Sequence, residues 1–436
     1  MLKYVYFPSD VCTLLFSFLS ITNVVQTKLI VARTELSRWA KAYGIELEKG
    51  SLSMNHDLVV LLAPYADGIL DEDRPVNLPL EAPSFSLKTI RDAIPPHCFQ
   101  RNLLTSLTHL VVDLAMIASM FYAASFIHSS SFPVWSKYLL WPLYWYAQGS
   151  VLTGVWVLAH ECGHQSFSES EITNNIVGTI CHSLLLVPYH SWRITHGRHH
   201  NNTGSCQNDE VFAPSTRSDW AQEMLRESPI ACAWGIFLML SVGWMPGYLV
   251  WNFTGPAKYR GQNANHFSPT AVFFTREEYW LVIQSDVAFF SAVALFIGCT
   301  YYYGILSVGA YYLVPYAVAN YHLVLITYLQ HTDVFMPHFR NKEWTWLRGA
   351  LCTVDRSFGP ILDHAFHHIT DTHVCHHLFS KMPFYHAQEA TEHIRKVLGP
   401  YYMKDETPIA RALYRSFSTC LFVEDDGDTV FYKNVK

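Results

Sequence analysis

Three short runs of histidine dominate the chemistry that this sequence offers. They read His160-Glu-Cys-Gly-His164, His196-Gly-Arg-His199-His200 and His373-Val-Cys-His376-His377. Residues three and four apart share one face of a helix, so each run can aim two or three imidazole rings at one point. Neutral imidazole is the commonest protein ligand of transition metals. The runs therefore predict a metal site, and their eight rings are enough for two metal ions.

A fourth run with the same spacing, His364-Ala-Phe-His367-His368, lies nine residues before the third. On a continuous helix this offset turns the chain by about 900°, which leaves the two runs on opposite faces. Only one of them could then reach the metals. Spacing alone does not choose between them.

The first run also matches the His-Glu-x-x-His signature of zinc proteases, in which Glu161 would be the general base. That interpretation leaves the second and third runs without a role. A membrane zinc metalloprotease is therefore the alternative from a different functional class.

The composition indicates a membrane protein. Half of the 436 residues are hydrophobic and only 15% are charged, whereas a soluble domain carries about 25% charged residues. The net charge of −6 does not indicate nucleic-acid binding. The ten cysteines are scattered and form no Cys-x-x-Cys pair, which favours reduced thiols in a protein that faces the cytosol.

Five apolar stretches are long enough to cross a bilayer, for which about 20 predominantly apolar residues suffice. They are residues 107–128, 138–159, 230–251, 281–303 and 304–330. All metal ligands must lie on one side of the membrane, so the number of crossings between the second and third runs must be even. Pro246 and Gly247 interrupt the stretch 230–251. We therefore predict that this stretch and residues 172–189 are interfacial or re-entrant.

The predicted fold is an all-α integral membrane protein. It has about four transmembrane helices plus interfacial helices, and a cytosolic cap of histidines that holds two metals. Residues 1–82 are expected to form a cytosolic or membrane-surface region of uncertain structure, residues 83–400 the membrane domain, and residues 401–436 a cytosolic C-terminal tail.

Carboxylates near the runs are candidates to orient the ligating histidines by hydrogen bonds, as carboxylates commonly do around metal sites. Glu161, Asp209 and Asp371 are placed for this role. Asp113 lies inside the first apolar stretch. Acids within a membrane are costly and are usually functional or paired.

With these residues established, the chain resembles the membrane-bound fatty acid desaturases, in the delta-12 (oleate) acyl-lipid branch of fungi and plants. The likeness rests on AHECGHQSFS, PYHSWRITHGRHHNNTGS followed by DEVFAP, and FHHITDTHVCHHLFSKMPFYHAQEAT, and also on AIPPHCFQRN and LITYLQHTD. It extends over residues 83–400, the desaturase domain of the prediction.

The resemblance implies a centre of two iron ions and no catalytic residues beyond the metal ligands. The implied ligands are His160, His164, His196, His199, His200, His331, His373, His376 and His377. The resemblance selects the run at 373, so His367 becomes a structural or supporting residue beside Glu161, Asp209 and Asp371. It also implies molecular oxygen as a cofactor, and electrons from NADH through cytochrome b5 and its reductase as separate proteins.

The implied reaction converts oleoyl chains into linoleoyl chains in membrane lipids, with phosphatidylcholine as the expected carrier. The implied location is the endoplasmic reticulum membrane, with several crossings and the active site facing the cytosol; a homodimer is compatible with it. Omega-3 desaturases, hydroxylases and acetylenases use the same scaffold. A few residues beside the runs separate these outcomes, so the alternative products stay open. Gly197 and Cys375 depart from the usual family residues and flank implied ligands, where they are candidates to shape the substrate channel.

Overall fold

A computed structural model describes residues 79–127, 133–220 and 228–434. All of them lie in one structural unit, Asp73–Lys436. The predicted N-terminal region, residues 1–82, falls almost wholly outside the described residues.

The described chain is mainly helical, as predicted. The α-helices are α1 (Leu87–Asp92), α2 (Leu103–Ser125), α3 (Val134–Gly163), α4 (Glu171–Leu184), α5 (Tyr189–Asn202), α6 (Pro229–Val242), α7 (Tyr279–Tyr303), α8 (Ile305–Val308), α9 (Val314–His331), α10 (Trp346–Ala350), α11 (Pro360–Ala365), α12 (His373–Leu378), α13 (Ala387–Leu398) and α14 (Ile409–Thr419). Short helical turns of other types lie at Pro96–Phe99, Gly243–Tyr248, Ala257–Tyr259, Gly309–Leu313, Asn341–Glu343, Phe384–His386 and Gly399–Tyr401. Two strands, β1 (Pro337–Phe339) and β2 (Thr429–Phe431), pair antiparallel with His338 opposite Val430.

Helix α3 is the central element of the bundle. It packs against α2, α4 and α9, and every residue from Gln148 to Cys162 is buried. A helix that is buried on all faces belongs to the interior of a bundle rather than to its surface. The histidines at its C-terminal end are thereby fixed by the whole bundle.

Two glycines let the neighbours of α3 approach closely. A Cβ atom on Gly149 would lie 2.5 Å from Val318 Cβ of α9, and one on Gly154 would lie 2.4 Å from the carbonyl oxygen of Ala365. Small residues at helix contacts in membranes allow backbones to approach in this way. Any larger side chain at Gly154 would push the C-terminal end of α11 away from α3.

Four helices of the described chain are long and apolar enough to cross a membrane: Leu103–Ser125, Pro229–Tyr248, Tyr279–Tyr303 and Ile305–His331. The number agrees with the prediction, but the set differs. The stretch predicted at 138–159 corresponds to α3, which is long enough at 30 residues but is not in the set. Its buried polar side chains, among them Gln148, Ser150 and Thr153, lower its hydropathy.

The segment Pro229–Tyr248 was predicted to be interfacial or re-entrant. Its regular α-helix, α6, ends at Val242 after 14 residues, which gives a length of about 21 Å, less than the roughly 30 Å of a bilayer core. Met245 then has extended dihedral angles (φ −121°, ψ 116°) before Pro246. The segment reaches spanning length only across this break, so its interfacial placement stays a prediction.

The C-terminal part of the chain folds onto the bundle. Helix α14 packs against α6 and α9, and β2 pairs with β1. Arg415 of α14 donates to both Asp333, two residues after α9, and Asp405. The segment predicted as a tail at 401–436 therefore holds the end of α9, and with it His331, in place.

Candidate metal centre

Four helices meet at one point and carry the nine predicted ligands there. Helix α3 brings the first run on its last turns, α5 brings the second, α12 brings the third, and α9 ends at His331. The chain supplies these residues from positions 160 to 377, so only the tertiary fold makes them neighbours.

The first histidine group has five members whose ligand atoms lie within 4.8 Å of one another: His160, His164, His196, His200 and His376. All three histidine runs contribute to it. His196 is half-buried and the other four are buried.

The second histidine group consists of His199, His331 and His377, all buried and again with ligand atoms within 4.8 Å of one another. His373 adjoins it, because its Nε2 atom lies 2.9 Å from His331 Nε2. Both groups draw on α5 and α12, the run at the end of α3 contributes only to the first group, and His331 of α9 contributes only to the second. The nine rings thus form two neighbouring clusters, as a centre for two metals requires.

The distances between ring nitrogens fit shared metal ions. His160 Nε2 lies 2.9 Å from His196 Nε2 and 3.2 Å from His164 Nε2, and His200 Nε2 lies 3.2 Å from His196 Nε2. With metal–nitrogen bonds of about 2.1 Å, two ligands of one ion are about 3.0–3.4 Å apart. The side chains are therefore already arranged at coordination spacing.

Burial keeps the rings in the form that binds metals. It lowers the pKa of His160 and of His164 to about 3, with a further contribution from neighbouring histidines. Within the described chain, the buried Nε2 atoms of His199, His376 and His377 have no hydrogen-bond partner. A buried polar atom without a partner is costly, and one metal ion in each histidine group would satisfy all three.

Glu161 supports the first group from behind. Its Oε1 atom lies 3.0 Å from His160 Nδ1 and 3.6 Å from His376 Nδ1. Its Oε2 atom accepts a hydrogen bond of 2.6 Å from Ser166 Oγ. Burial raises the pKa of Glu161 to about 7. A carboxylate on Nδ1 fixes the ring orientation and directs Nε2 towards the metal.

Asp209 does the same for the second group. Its Oδ1 atom lies 2.7 Å from His199 Nδ1 and accepts hydrogen bonds from the backbone amides of Val211 and Phe212. Burial by itself would raise the pKa of Asp209, but His199 and these hydrogen bonds outweigh it and lower the pKa. Asp209 is therefore a fixed anion behind His199.

The other two predicted supporting residues have different neighbours. Asp371 contacts His368 Nδ1 at 3.1 Å, and no hydrogen bond between Asp371 and the nine histidines is present in the described chain. His367 Nε2 lies 2.8 Å from Asp113 Oδ2. The membrane acid Asp113 is thus paired, as its position in an apolar stretch predicted.

Thr203 is a supporting residue that the sequence analysis missed. Its hydroxyl lies 3.2 Å from His377 Nδ1 and donates to the carbonyl oxygen of His199. The signal in the sequence was its place one turn after His199, but a threonine at that spacing is too common to single out.

A cavity of about 130 Å³ opens beside both groups. The histidines on its wall are His160, His196, His199, His331 and His373, and its apolar lining includes Trp156, Val157, Met239, Leu323, Val324 and Ile326. The apolar part of this wall would bring a portion of an apolar chain against the rings.

The zinc-protease alternative finds no support in this geometry. His160 and His164 share their cluster with three further histidines, more than a zinc site with an open position uses. Both oxygens of Glu161 are turned away, towards His160 Nδ1 and Ser166. Glu161 is placed to hold a ligand, and a general base would have to face the substrate.

Comparison with known proteins gives a consistent result. A family model described as fatty acid desaturase matches residues 138–407. The chain is 47% identical over 370 residues to a delta(12) fatty acid desaturase of Mortierella alpina, covering 81% of this chain and 92% of that protein. It is 45% identical over 354 residues to the omega-6 fatty acid desaturase, endoplasmic reticulum isozyme 1, of Glycine max (81% and 90% covered). It is 44% identical over 349 residues to a delta(12) acyl-lipid conjugase of Momordica charantia (79% and 86% covered).

Proposed function

Because this chain belongs to the fatty acid desaturase family, we propose that it introduces a double bond at the delta-12 position of oleoyl chains in membrane lipids. The observation that carries the proposal is the pair of buried histidine groups beside one apolar cavity. The names of the similar fungal and plant proteins supply the position on the chain and the omega-6 outcome.

The donor set is compatible with two iron ions, and the choice of iron over other metals rests on the family. Neutral imidazole suits iron, copper and zinc, and does not suit magnesium or calcium. The first histidine group would hold one ion, and the second group together with His373 would hold the other. Bound iron would supply the activation of molecular oxygen and the removal of hydrogen from an unactivated C–H bond.

The chain itself contributes binding, orientation and exclusion of water. The apolar wall formed by Trp156, Val157 and Leu323 would hold the acyl chain in a dry environment, where a reactive oxidant is protected from solvent. Glu161 and Asp209 hold rings of the two groups in fixed orientations. The histidines act as ligands and do not exchange protons, because burial keeps His160 and His164 neutral across the physiological range.

We place the protein in the endoplasmic reticulum membrane with the histidine centre towards the cytosol, by analogy with the named soybean isozyme. Electrons would come from NADH through cytochrome b5 and its reductase, which dock on the cytosolic face. Phosphatidylcholine is the proposed carrier of the oleoyl chain, and a homodimer is compatible with the fold.

The test is the fatty acid profile of a yeast that makes oleate but no polyunsaturated fatty acids, expressing the full chain. We expect linoleate in the host lipids. Gas chromatography with mass spectrometry of double-bond derivatives locates the new bond.

The control is His199→Ala, expressed to the same level, which should give no product. A conjugated, hydroxylated, acetylenic or omega-3 product would keep the metal centre and replace the delta-12 assignment; a conjugated product is the one that the Momordica relative raises. No new lipid from protein that contains iron would contradict the proposal.

A further inference from the structure

A second cluster of metal-binding side chains lies apart from the histidine centre, next to the third run. Its members are His97, Cys98, His386 and Glu389, and their ligand atoms lie within 4.8 Å of one another. We call it the surface cluster. We propose that the surface cluster binds one zinc ion, as a structural site that is independent of the proposed desaturase reaction.

Two segments that are distant in sequence form the surface cluster. His97 and Cys98 lie on the helical turn Pro96–Phe99 before α2, His386 ends the turn Phe384–His386, and Glu389 lies in the first turn of α13. His97 Nε2 is 2.9 Å from Glu389 Oε2 and 3.7 Å from Cys98 Sγ. The rings of His97 and His386 meet edge to face with centroids 5.4 Å apart.

The donor atoms select zinc. One sulfur, two imidazole nitrogens and one carboxylate oxygen match a four-coordinate zinc site, and the thiolate excludes magnesium and calcium. The thiolate and the carboxylate together carry two negative charges, which neutralise Zn²⁺ while the imidazoles stay neutral. The histidine centre has no thiolate among its ligands, so the two sites differ in chemistry.

The arrangement needs only small movements to close on a metal. Tetrahedral zinc with bonds of about 2.0–2.3 Å separates its ligand atoms by about 3.3–3.7 Å. Cys98 is fully buried, whereas the side chains of His97 and Glu389 are about half exposed, so the outer ligands can rotate onto an ion above the fixed sulfur. Burial and Glu389 raise the pKa of Cys98 to about 11; zinc binding would release the thiol proton to solvent.

The position of the surface cluster gives the ion a structural role. Cys98 belongs to a buried hydrophobic cluster with Val374 and Leu378 of α12 and with Ile394 of α13. A zinc ion would join the turn before α2 to the start of α13, which packs against the helix that carries His373, His376 and His377. The surface cluster would thereby hold the third run against the bundle.

Cobalt(II) provides the test, because cobalt bound by a thiolate has a near-ultraviolet charge-transfer band that cobalt bound by imidazoles lacks. The full chain is purified in detergent, stripped of metal and loaded with Co²⁺ alone. We expect the band in the wild type and its loss in Cys98→Ser. Cys299→Ser, which removes a half-buried thiol on α7, is the matched control and should keep the band.

Metal content gives a second, independent readout on the protein as purified. Zinc and iron are counted by mass spectrometry in the wild type, His386→Ala and Glu389→Gln. We expect zinc to be lost from both variants and iron to be retained, which separates this site from the histidine centre. Absence of the thiolate band in the wild type, or its persistence in Cys98→Ser, would overturn the proposal even if linoleate is made. Should Cys98→Ser fail to fold, the wild-type band and the zinc content of Glu389→Gln decide the matter.

Discussion

The third and fourth histidine runs have the same spacing and lie within fifteen residues of each other, yet the fold uses them differently. In the third run, His376 and His377 point unpaired Nε2 atoms into the two histidine groups. In the fourth, His367 pairs with Asp113 and His368 with Asp371. His367 and His368 of the fourth run therefore have carboxylate partners, whereas His376 and His377 of the third run keep buried ring nitrogens without a partner, which metal ions would satisfy.

The backbone explains how the runs separate. The chain between them is not a continuous helix: α11 ends at Ala365, His367 and His368 have positive φ angles of 51° and 62°, and α12 starts only at His373. The helical-rotation argument therefore does not apply to this segment. Identical spacing binds metal only where the tertiary structure leaves the ring nitrogens facing one another.

The largest difference between the two runs, in product and in iron content, should appear when one ring of the third run is removed. We expect His376→Ala to abolish product and to lower the iron content, because His376 closes the first group. The measurement is linoleate and iron per chain in matched expression samples, with His368→Ala as the control. Product and iron at wild-type levels in His376→Ala would contradict the ligand assignment.

A smaller loss of iron affinity and product should follow from weakening a carboxylate that orients a predicted ligand. Asp209→Asn keeps the shape of the side chain but removes the charge that orients His199. Changes to such supporting carboxylates cost about 10–100-fold in metal affinity or activity. Iron titration and product rate should fall together, and an unchanged affinity would mean that backbone contacts alone hold His199.

Removing a ring of the fourth run should affect stability and leave the metals in place. His367→Ala leaves the buried carboxyl group of Asp113 without its hydrogen-bond partner. A buried polar group that loses its partner lowers the free energy of unfolding by about 1–3 kcal/mol. Thermal unfolding in detergent should shift downward while iron per chain stays at the wild-type value. Adding Asp113→Asn to His367→Ala should recover part of the lost stability, because the stability effects of changing two residues in contact are not additive. Loss of iron equal to that of His376→Ala would make the fourth run part of the metal centre.

The smallest effect should be at His368, and it should depend on pH. The hydrogen bond with Asp371 raises the pKa of His368, so protonation favours the folded state. This stabilisation is complete below the unfolded pKa of about 6.5 and disappears as pH rises through the folded pKa. The difference in unfolding temperature between wild type and His368→Ala should therefore be present at about pH 5.5 to 6, which lies below the unfolded pKa of histidine. It should vanish at alkaline pH. A difference that is independent of pH would assign it to packing.

Much of the metal centre could be predicted without coordinates. The three runs and His331 include all nine rings that the structure brings together, and Glu161 and Asp209 each contact the Nδ1 atom of one of these rings. The sequence could point to these residues because helical spacing and ligand chemistry are local properties of the sequence, and their binding of metal stays a prediction. Asp371 was expected to hydrogen-bond to one of the predicted ligands but contacts His368. The orientation of its side chain depends on the irregular segment after α11.

The sequence alone determined the kinds of ligand, the apolar character of the helices and the family. Tertiary structure decided which histidines share a cluster, which helix is central, and that Cys98 lies beside His386 and Glu389. The reason is the separation in sequence of the residues that come into contact. A helix turn fixes neighbours three or four residues apart. Contacts between residues 97 and 389, or between 160 and 376, depend instead on how the whole bundle packs. Small residues such as Gly149 and Gly154 set that packing at single points.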